Sequence, residues 1–284
     1  MKTYLDCIPC FMRQALSTAR LATTDEVKIK NVLNTVGVQV KDIPMHLTPA
    51  ETGQIVYREV KNVTGVIDPY KSLKKAHIAE AKTLLPELKN MVEQSDDPLL
   101  KAVRIAIAGN VIDLGINKTF HLVEDIKKIL NQDFAIFDYD SFKQHLGNAE
   151  NILYLGDNCG ESVFDKILIE QLQKPVTFAV RSAPIINDVT LKDAIDSGLD
   201  EVARLMESGC VAPGTILSQC TEEFMEVYNN ADLIISKGQG NYEGLSEVDR
   251  PVFFLLKAKC HVIAKDLGVH EGDIVLKGIN IEAE

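Results

Sequence analysis

The chain lacks long apolar runs and has few basic residues. No stretch approaches the roughly 18 consecutive apolar residues that a membrane-spanning helix needs. Its 30 Lys and Arg residues are outnumbered by 41 Asp and Glu, which gives a formal net charge of −11. Nucleic acids and anionic membranes bind clustered positive charge, so this balance argues against both as partners. The first ten residues, MKTYLDCIPC, do not resemble a signal peptide, and we expect a cytoplasmic protein.

Two motifs that would identify a cofactor or a structural metal are incomplete. The segment Gly238-Gln-Gly240 lacks the third glycine of a dinucleotide-binding turn, and no glycine-rich turn follows a first strand. This argues against a Rossmann oxidoreductase and weakens the case for a methyltransferase. The N-terminal Cys7-Ile-Pro-Cys10 has no second Cys-x-x-Cys that would complete four zinc ligands.

The six cysteines do not form the pattern of a disulfide-bonded domain. Four are scattered through sequence of globular type, and the chain is much longer than the small secreted domains that need disulfides, so we expect reduced thiols. Cys7 and Cys10 have the spacing of a metal knuckle or a redox pair. Three interpretations of this pair remain open: packing at a helix start, an auxiliary metal or pocket site, and redox chemistry.

The spacing of apolar residues changes near residue 133. Before this point it is helical and predicts helices at residues 11–22, 25–40, 49–63, 70–91 and 98–116. After it, strands are predicted at residues 135–137, 152–155, 176–180, 233–235, 252–256 and 274–276. Alternating strands and helices are typical of a largely parallel, doubly wound α/β sheet with helices on both faces. We predict an all-helical region at 1–132 and an α/β region at 133–284, packed as one compact unit because no linker separates them.

Three of the predicted strands end in polar turns. These turns contain, in order, Asp157, Asn158 and Glu161, then Arg181, Ser182, Asn187 and Asp188, then Lys237, Asn241 and Glu243. Because parallel strands have their carboxyl ends on the same side, the turns are expected to converge at one edge of the sheet. Oxygen ligands there suit Mg²⁺ or Mn²⁺, and a helix start can bind an anion. For the first turn alone, a helix cap is an equally good interpretation.

Within the predicted helix at residues 98–116, the segment 101–116 is strongly apolar but contains Asn110 and Asp113. These two residues are three apart and therefore share one helix face. Buried polar side chains need partners, which could be a substrate or a neighbouring helix. From the residues alone, a hydrogen bond between helices or at a cap is slightly favoured.

These motifs together resemble a known family, the metal-dependent damage-control phosphatases once called domain of unknown function eighty-nine. The resemblance is carried by residues 156–161, by Arg181 with Pro184 and Asn187-Asp188, and by residues 237–243. It extends to residues 108–113 and to the Cys-x-x-Cys, which is similar to the small stand-alone prokaryotic branch. The resemblance implies a divalent cation, Mg²⁺, Mn²⁺, Co²⁺ or Ni²⁺, and hydrolysis of phosphate monoesters such as sugar phosphates or damaged phosphorylated metabolites.

The resemblance also implies roles for individual residues. The family's metal ligands and catalytic centre fall on Asp157, Asn158 and Asp188, and its phosphate-binding lysine falls on Lys237. Arg181 could contact phosphate or instead fix an acidic ligand. The nucleophile, Asp157 or a metal-bound water, remains open. The other candidates for contacts to substrate or phosphate are Asn110, Ser182, Glu161, Asn241 and Arg181.

The implied partner is a small phosphorylated metabolite, and the oligomeric state is open. Two other functions also remain open: an S-adenosylmethionine-dependent carboxyl methyltransferase, and a protein that binds a phosphorylated metabolite without catalysis. Cation-dependent release of phosphate from a simple monoester would separate these classes.

Overall fold

The structure, a computed structural model, describes residues 1–109 and 126–281. Its first part is helical, as predicted: α1 (Cys7–Ala22), α2 (Glu26–Val40), α3 (Pro49–Thr64), α4 (Lys71–Glu93) and α5 (Pro98–Ala108). The predicted continuation of the fifth helix to residue 116 lies outside the described residues. Asn110 and Asp113, and the roles predicted for them, lie outside as well.

Local chemistry determines where α2 and α3 begin and end. The side chain of Asp25 accepts hydrogen bonds from the backbone nitrogens of Val27 at 2.9 Å and Lys28 at 3.3 Å, which satisfies donors at the start of α2. Thr48 and Glu51 form a capping box at the start of α3. Gly65, at a φ of 76°, ends α3 in the left-handed conformation that glycine adopts without strain.

The second part alternates strands with helices. The strands are β1 (Phe134–Phe137), β2 (Ile152–Leu155), β3 (Val176–Val180), β4 (Arg204–Glu207), β5 (Leu233–Lys237), β6 (Val252–Lys257) and β7 (Ile274–Ile279). The helices are α6 (Tyr139–Asn148), α7 (Ser162–Leu172), α8 (Leu191–Ser197), α9 (Glu222–Asn230), α10 (Gly238–Leu245) and α11 (His261–Leu267). Two short 3-10 turns lie at Leu199–Glu201 and Leu217–Gln219, and residues 126–131 are also helical.

All these strands belong to one sheet, in the order β1-β7-β6-β5-β2-β3-β4. Pairing is parallel from β6 through β5, β2 and β3 to β4, whereas β7 runs antiparallel to β6 and pairs parallel with β1. The predicted largely parallel sheet is confirmed. The strand β4 was not predicted from the sequence. It is an edge strand whose ends are charged and exposed, so it lacks a continuous apolar signal.

The strand order reverses direction between β2 and β5. From β2 the chain moves outward through β3 to β4, and then returns to place β5 on the other side of β2. Such a reversal opens a crevice at the carboxyl ends of the two central strands, where ligands bind in open α/β sheets. The turns that follow β2 and β5 are those that the sequence marks as polar.

Helices cover both faces of the sheet, as predicted. Ile152 and Tyr154 pack into the core that contains α4, α5 and α7, whereas Leu153 and Leu155 pack into the core that contains α1, α2 and α3. The N-terminal helices therefore divide between the two faces of the sheet. The predicted division of the chain into a helical region and an α/β region after residue 132 stays a prediction. Within residues 1–109 and 126–281, no helix combines the length and the apolar character needed to cross a membrane.

The buried histidine His77 on α4 should make the free energy of unfolding depend on pH. Its Nδ1 has no hydrogen-bond partner among the described residues, and burial lowers the pKa of His77 below its ordinary 6.5. In the unfolded chain the imidazole takes up a proton below about pH 6.5, but in the folded protein it does so only at lower pH. The free energy of unfolding should therefore fall as the pH drops below that point, by up to about 1.4 kcal/mol per pH unit.

The substitution His77→Leu should remove this loss, because the variant has no group to protonate. Urea unfolding at about pH 7.5 and about pH 5.5 measures it, with the exposed His46→Leu as the control. An unchanged acid-side loss in His77→Leu would show that other groups cause it.

Candidate active site

Backbone hydrogen bonds join the turns that follow β2 and β3. Asn158 and Asp188 form an antiparallel bridge, and the backbone nitrogen of Val189 donates to the carbonyl oxygen of Asp157 at 2.8 Å. All three candidate ligands, Asp157, Asn158 and Asp188, are buried at this edge of the sheet. The structure thus brings together the three residues predicted to hold a metal.

The side chain of Asn158 has a defined orientation. Its Nδ2 donates to Oδ2 of Asp157 at 2.9 Å and to Oε2 of Glu161 at 3.1 Å. An amide nitrogen has two protons, so these bonds use both of them. The amide oxygen is the remaining polar atom of the side chain, and it is the atom that can bind a cation.

Negative charge is in excess around these residues. Burial raises the pKa of Asp157 well above its usual range, and the charges of Asp188 and Glu161 raise it further. Burial also raises the pKa of Asp188, although Arg181 opposes this. Four buried carboxylates are linked by ion pairs and hydrogen bonds to only two buried cations, which leaves a formal excess of two negative charges within this group. The carboxylates are those of Asp157, Glu161, Asp165 and Asp188, and the cations are Arg181 and Lys237.

A divalent cation fits this environment. Its charge would balance the excess, and the carboxylates of Asp157 and Asp188 with the amide oxygen of Asn158 are hard ligands suited to Mg²⁺ or Mn²⁺. Among residues 1–109 and 126–281, no three His, Cys, Asp or Glu side chains form a group that could hold a metal ion. The fit therefore rests on two carboxylates and one amide, a donor set completed by water or substrate.

Arg181 fixes Asp188 in place. Its Nε donates to Oδ2 of Asp188 at 2.8 Å, and its two terminal nitrogens donate to Thr215 at 3.1 Å and to Asn241 at 3.0 Å. Asn241 in turn donates to the carbonyl oxygens of Gly156 at 3.0 Å and Lys237 at 2.8 Å, which links the turns after β2 and β5. The predicted phosphate contacts of Arg181 and Asn241 stay predictions.

Lys237 lies at the end of β5 and is fully buried. Its ammonium group donates to Glu161 at 2.5 Å, to Asp165 at 2.5 Å and to the carbonyl oxygen of Ala106 at 3.0 Å. An ammonium group has three protons, and these three acceptors account for all of them. Because Glu161 also accepts from Asn158, Lys237 is connected to the candidate metal ligands through one side chain.

Lys259 was not singled out in the sequence analysis. It is half-buried and follows β6, and its charge lowers the pKa values of both Asp157 and Asp188. Its position after a strand parallel to β5 is the signal that could have identified it. The predicted residue Ser182 accepts a hydrogen bond from the backbone nitrogen of Gly209 at 2.6 Å.

Cys7 and Cys10 lie in the first turns of α1. Burial raises the pKa of Cys7 to about 11, and it also raises the pKa of Cys10, so both thiols are protonated near neutral pH. The charges of Glu243 and Cys260 act on both thiols, which places these four residues near one another. A role for the pair in binding an auxiliary metal stays a prediction.

Comparison with known proteins identifies the family. The family description "Damage-control phosphatase ARMT1-like domain" matches residues 3–275. The chain belongs to this family. A protein from Methanocaldococcus jannaschii described as uncharacterized is 37% identical over 95% of this chain and 93% of its own length.

Two relatives carry the name damage-control phosphatase. One, from Pyrococcus horikoshii, is 34% identical over 97% of both chains, and the other, from Archaeoglobus fulgidus, is 33% identical over 95% of this chain and 97% of its own. The crystal structure of a DUF89 family protein from Pyrococcus horikoshii has a TM-score of 0.88 and 33% identity, and covers 97% of this chain and 98% of that chain. Both the family recognised from sequence motifs and the fold class are confirmed.

A substitution at Gly238 tests whether the turn after β5 must lie close to the turn after β2. Its φ is 75°, and a Cβ atom there would lie 1.8 Å from Oδ2 of Asp157. Gly238→Ala should therefore displace the Asp157 carboxylate, lower Mn²⁺ affinity by about tenfold or more and cost about 1–3 kcal/mol of stability.

The matched control is Gly147→Ala in α6, where a new Cβ would meet nothing within 4 Å. This change should stabilise the helix by up to about 1 kcal/mol and leave Mn²⁺ binding unchanged. Titration calorimetry and urea unfolding measure both quantities. Unaltered Mn²⁺ affinity in Gly238→Ala would contradict the placement of Asp157 as a ligand.

Proposed function

We propose that this chain is a divalent-metal-dependent phosphatase that hydrolyses phosphate monoesters of small metabolites, such as sugar phosphates or damaged phosphorylated metabolites. The observation that carries the proposal is the group of two buried carboxylates and one oriented amide oxygen where the strand order reverses. The damage-control phosphatases that match over nearly the whole chain support the reaction class. We predict a cytoplasmic location.

Asp157, Asn158 and Asp188 would hold the cation, Mg²⁺, Mn²⁺, Co²⁺ or Ni²⁺. When bound, it would neutralise charge on the phosphate oxygens and help to orient the group for in-line displacement. Arg181 holds the Asp188 carboxylate in place through its Nε–H. Glu161 accepts a hydrogen bond from the Asn158 amide nitrogen and so leaves the amide oxygen available for the cation.

In this proposal, Lys237 and Lys259 have different tasks. Lys237 is a positioning residue, because its three protons are directed to protein oxygens and its charge offsets Glu161 and Asp165. Lys259 is the better candidate for contacting phosphate, because it is half-buried and its charge lowers the pKa values of both aspartates. This assignment differs from the role that the family resemblance implies for Lys237.

Release of phosphate from p-nitrophenyl phosphate, with and without added Mn²⁺, tests the proposed function. Exhaustive chelation should abolish turnover without unfolding the protein, because the cation is needed for the reaction and the fold has its own core. Full activity after chelation would overturn metal dependence. Transfer of a methyl group from S-adenosylmethionine, or binding without turnover, would support the two alternative functions instead.

The substitutions Asp157→Asn and Asp188→Asn should each remove most of the activity. Either change removes one negative charge from the ligand set while nearly preserving shape, so Mn²⁺ affinity should fall sharply. Titration calorimetry and phosphate release measure the two effects, with the exposed Asp200→Asn as the control. Near-native turnover in both Asp157→Asn and Asp188→Asn would show that these two residues do not form the catalytic site.

A comparison of Lys237→Met with Lys259→Met separates positioning from phosphate contact. Lys237→Met leaves Glu161 and Asp165 buried without their cation and should cost about 3–5 kcal/mol of stability. Lys259→Met should cost no more than about 1 kcal/mol of stability but about 2–4 kcal/mol in kcat/KM. Urea unfolding and steady-state kinetics give both values. If Lys237→Met instead lowers kcat/KM with little loss of stability, and Lys259→Met leaves kcat/KM unchanged, Lys237 is the phosphate contact.

A further inference from the structure

A cavity of about 290 Å³ lies beside the turn that carries Asp188. One wall is the segment 183–186, which leads directly into Asn187 and Asp188. The opposite wall is α3, and the segment 66–70 between α3 and α4 contributes a third side. A cavity of this size can hold a small organic molecule.

One face of α3 is directed into this cavity. Gln54, Tyr57, Arg58 and Lys61 have the spacing of a single helix face, and all four line the cavity. The opposite face of α3 packs into the protein, with Thr52, Val56, Glu59 and Val60 buried. The helix is thus anchored by one face and presents the other to a ligand.

The cavity lies beside the turn that carries the candidate ligand Asp188, although Asp188 itself does not line it. Ile186, in its wall, has a φ of 43°, an unfavourable conformation for a β-branched residue that ligand-binding turns retain when their surroundings enforce it. The same turn then delivers Asp188. Tyr57 also belongs to both regions, because it lines the cavity while the charge of Asp188 acts on its hydroxyl group.

The lining combines apolar surface with positive charge. Ile67 and Val211, which are 65% and 38% exposed, contribute apolar surface to the cavity. Arg58 and Lys61 are exposed at the same cavity, in a chain whose net charge is −11. The one acidic residue in the lining, Asp68, forms an ion pair with Lys74 at 3.1 Å, and Lys74 also pairs with Asp193 at 2.8 Å.

Within the described residues, Lys61 makes no ion pair, and Arg58 pairs only with its neighbour Glu59 at 3.1 Å. Arg58 and Lys61 are therefore available to an anion. Because none of the candidate metal ligands lines the cavity, an anion bound by Arg58 and Lys61 would not be the phosphate group that is hydrolysed.

We propose that this cavity binds the organic part of the substrate, and that the preferred substrates are phosphate monoesters whose apolar body carries a second anionic group, a carboxylate or a phosphate, that contacts Arg58 and Lys61. This inference rests on the proposed phosphatase function and specifies its substrate class. The phosphate to be cleaved lies at Asp157 and Asp188, and the second anion lies at α3.

A matched pair of substrates tests the proposal. Phenyl phosphate and 4-carboxyphenyl phosphate share an apolar body and differ by one carboxylate. For the wild-type protein, kcat/KM should be about tenfold or more higher with 4-carboxyphenyl phosphate than with phenyl phosphate, as expected for charge-assisted hydrogen bonds. Arg58→Ala and Lys61→Ala should each reduce that preference, mainly through KM. The control is Lys30→Ala, an exposed lysine on α2 outside the cavity lining, which should retain the wild-type preference.

Calorimetry with the product 4-hydroxybenzoate, in the presence of EDTA, tests the cavity without turnover. The product should bind to wild type and about tenfold more weakly to Lys61→Ala. If phosphate is released from both substrates with equal efficiency and the product does not bind, the cavity proposal is wrong while the phosphatase stands. If neither substrate releases phosphate at any metal concentration, the proposed function fails, and selective product binding would still support the anion site.

Discussion

Four carboxylates are buried at the carboxyl edge of the sheet and are linked by ion pairs and hydrogen bonds to only two buried cations, and this imbalance governs the candidate site. Burying a charge without a partner is costly, so both cations are committed to internal contacts: Arg181 to Asp188, and Lys237 to Glu161 and Asp165. The remaining negative charge belongs to a ligand set that a divalent cation would complete. All three ammonium protons of Lys237 are directed to protein oxygens, while its role as the phosphate-binding lysine stays a prediction.

The architecture explains why the charges meet there. The strand order reverses between β2 and β5, and the turns after β2 and β3 are joined by the bridge between Asn158 and Asp188. Gly238 allows the turn after β5 to approach Asp157. Helices from the N-terminal part cover both sheet faces, and α3 adds a wall to the neighbouring cavity. One edge of the sheet thus combines hard oxygen ligands with a basic, apolar pocket.

The parallel sheet and the convergence of Asp157, Asn158 and Asp188 could be predicted, because both follow from apolar strands that end in polar turns. The contacts of Lys237 could not, since its acceptors Glu161 and Asp165 lie on a different element and their approach depends on packing. The edge strand β4 was missed because its charged residues hide the strand pattern. Lys259 was missed because no Asp, Asn or Gly accompanies it after β6, and the cavity beside α3 depends on how the helices assemble.

Crystals soaked with Mn²⁺, and measured at a wavelength where manganese scatters anomalously, would test the central claim most directly. The account predicts one strong anomalous peak within coordination distance of the carboxylates of Asp157 and Asp188 and the amide oxygen of Asn158, with Lys237 still bound to Glu161 and Asp165. A peak elsewhere, for example beside Cys7 and Cys10, with none between the two aspartates, would contradict it.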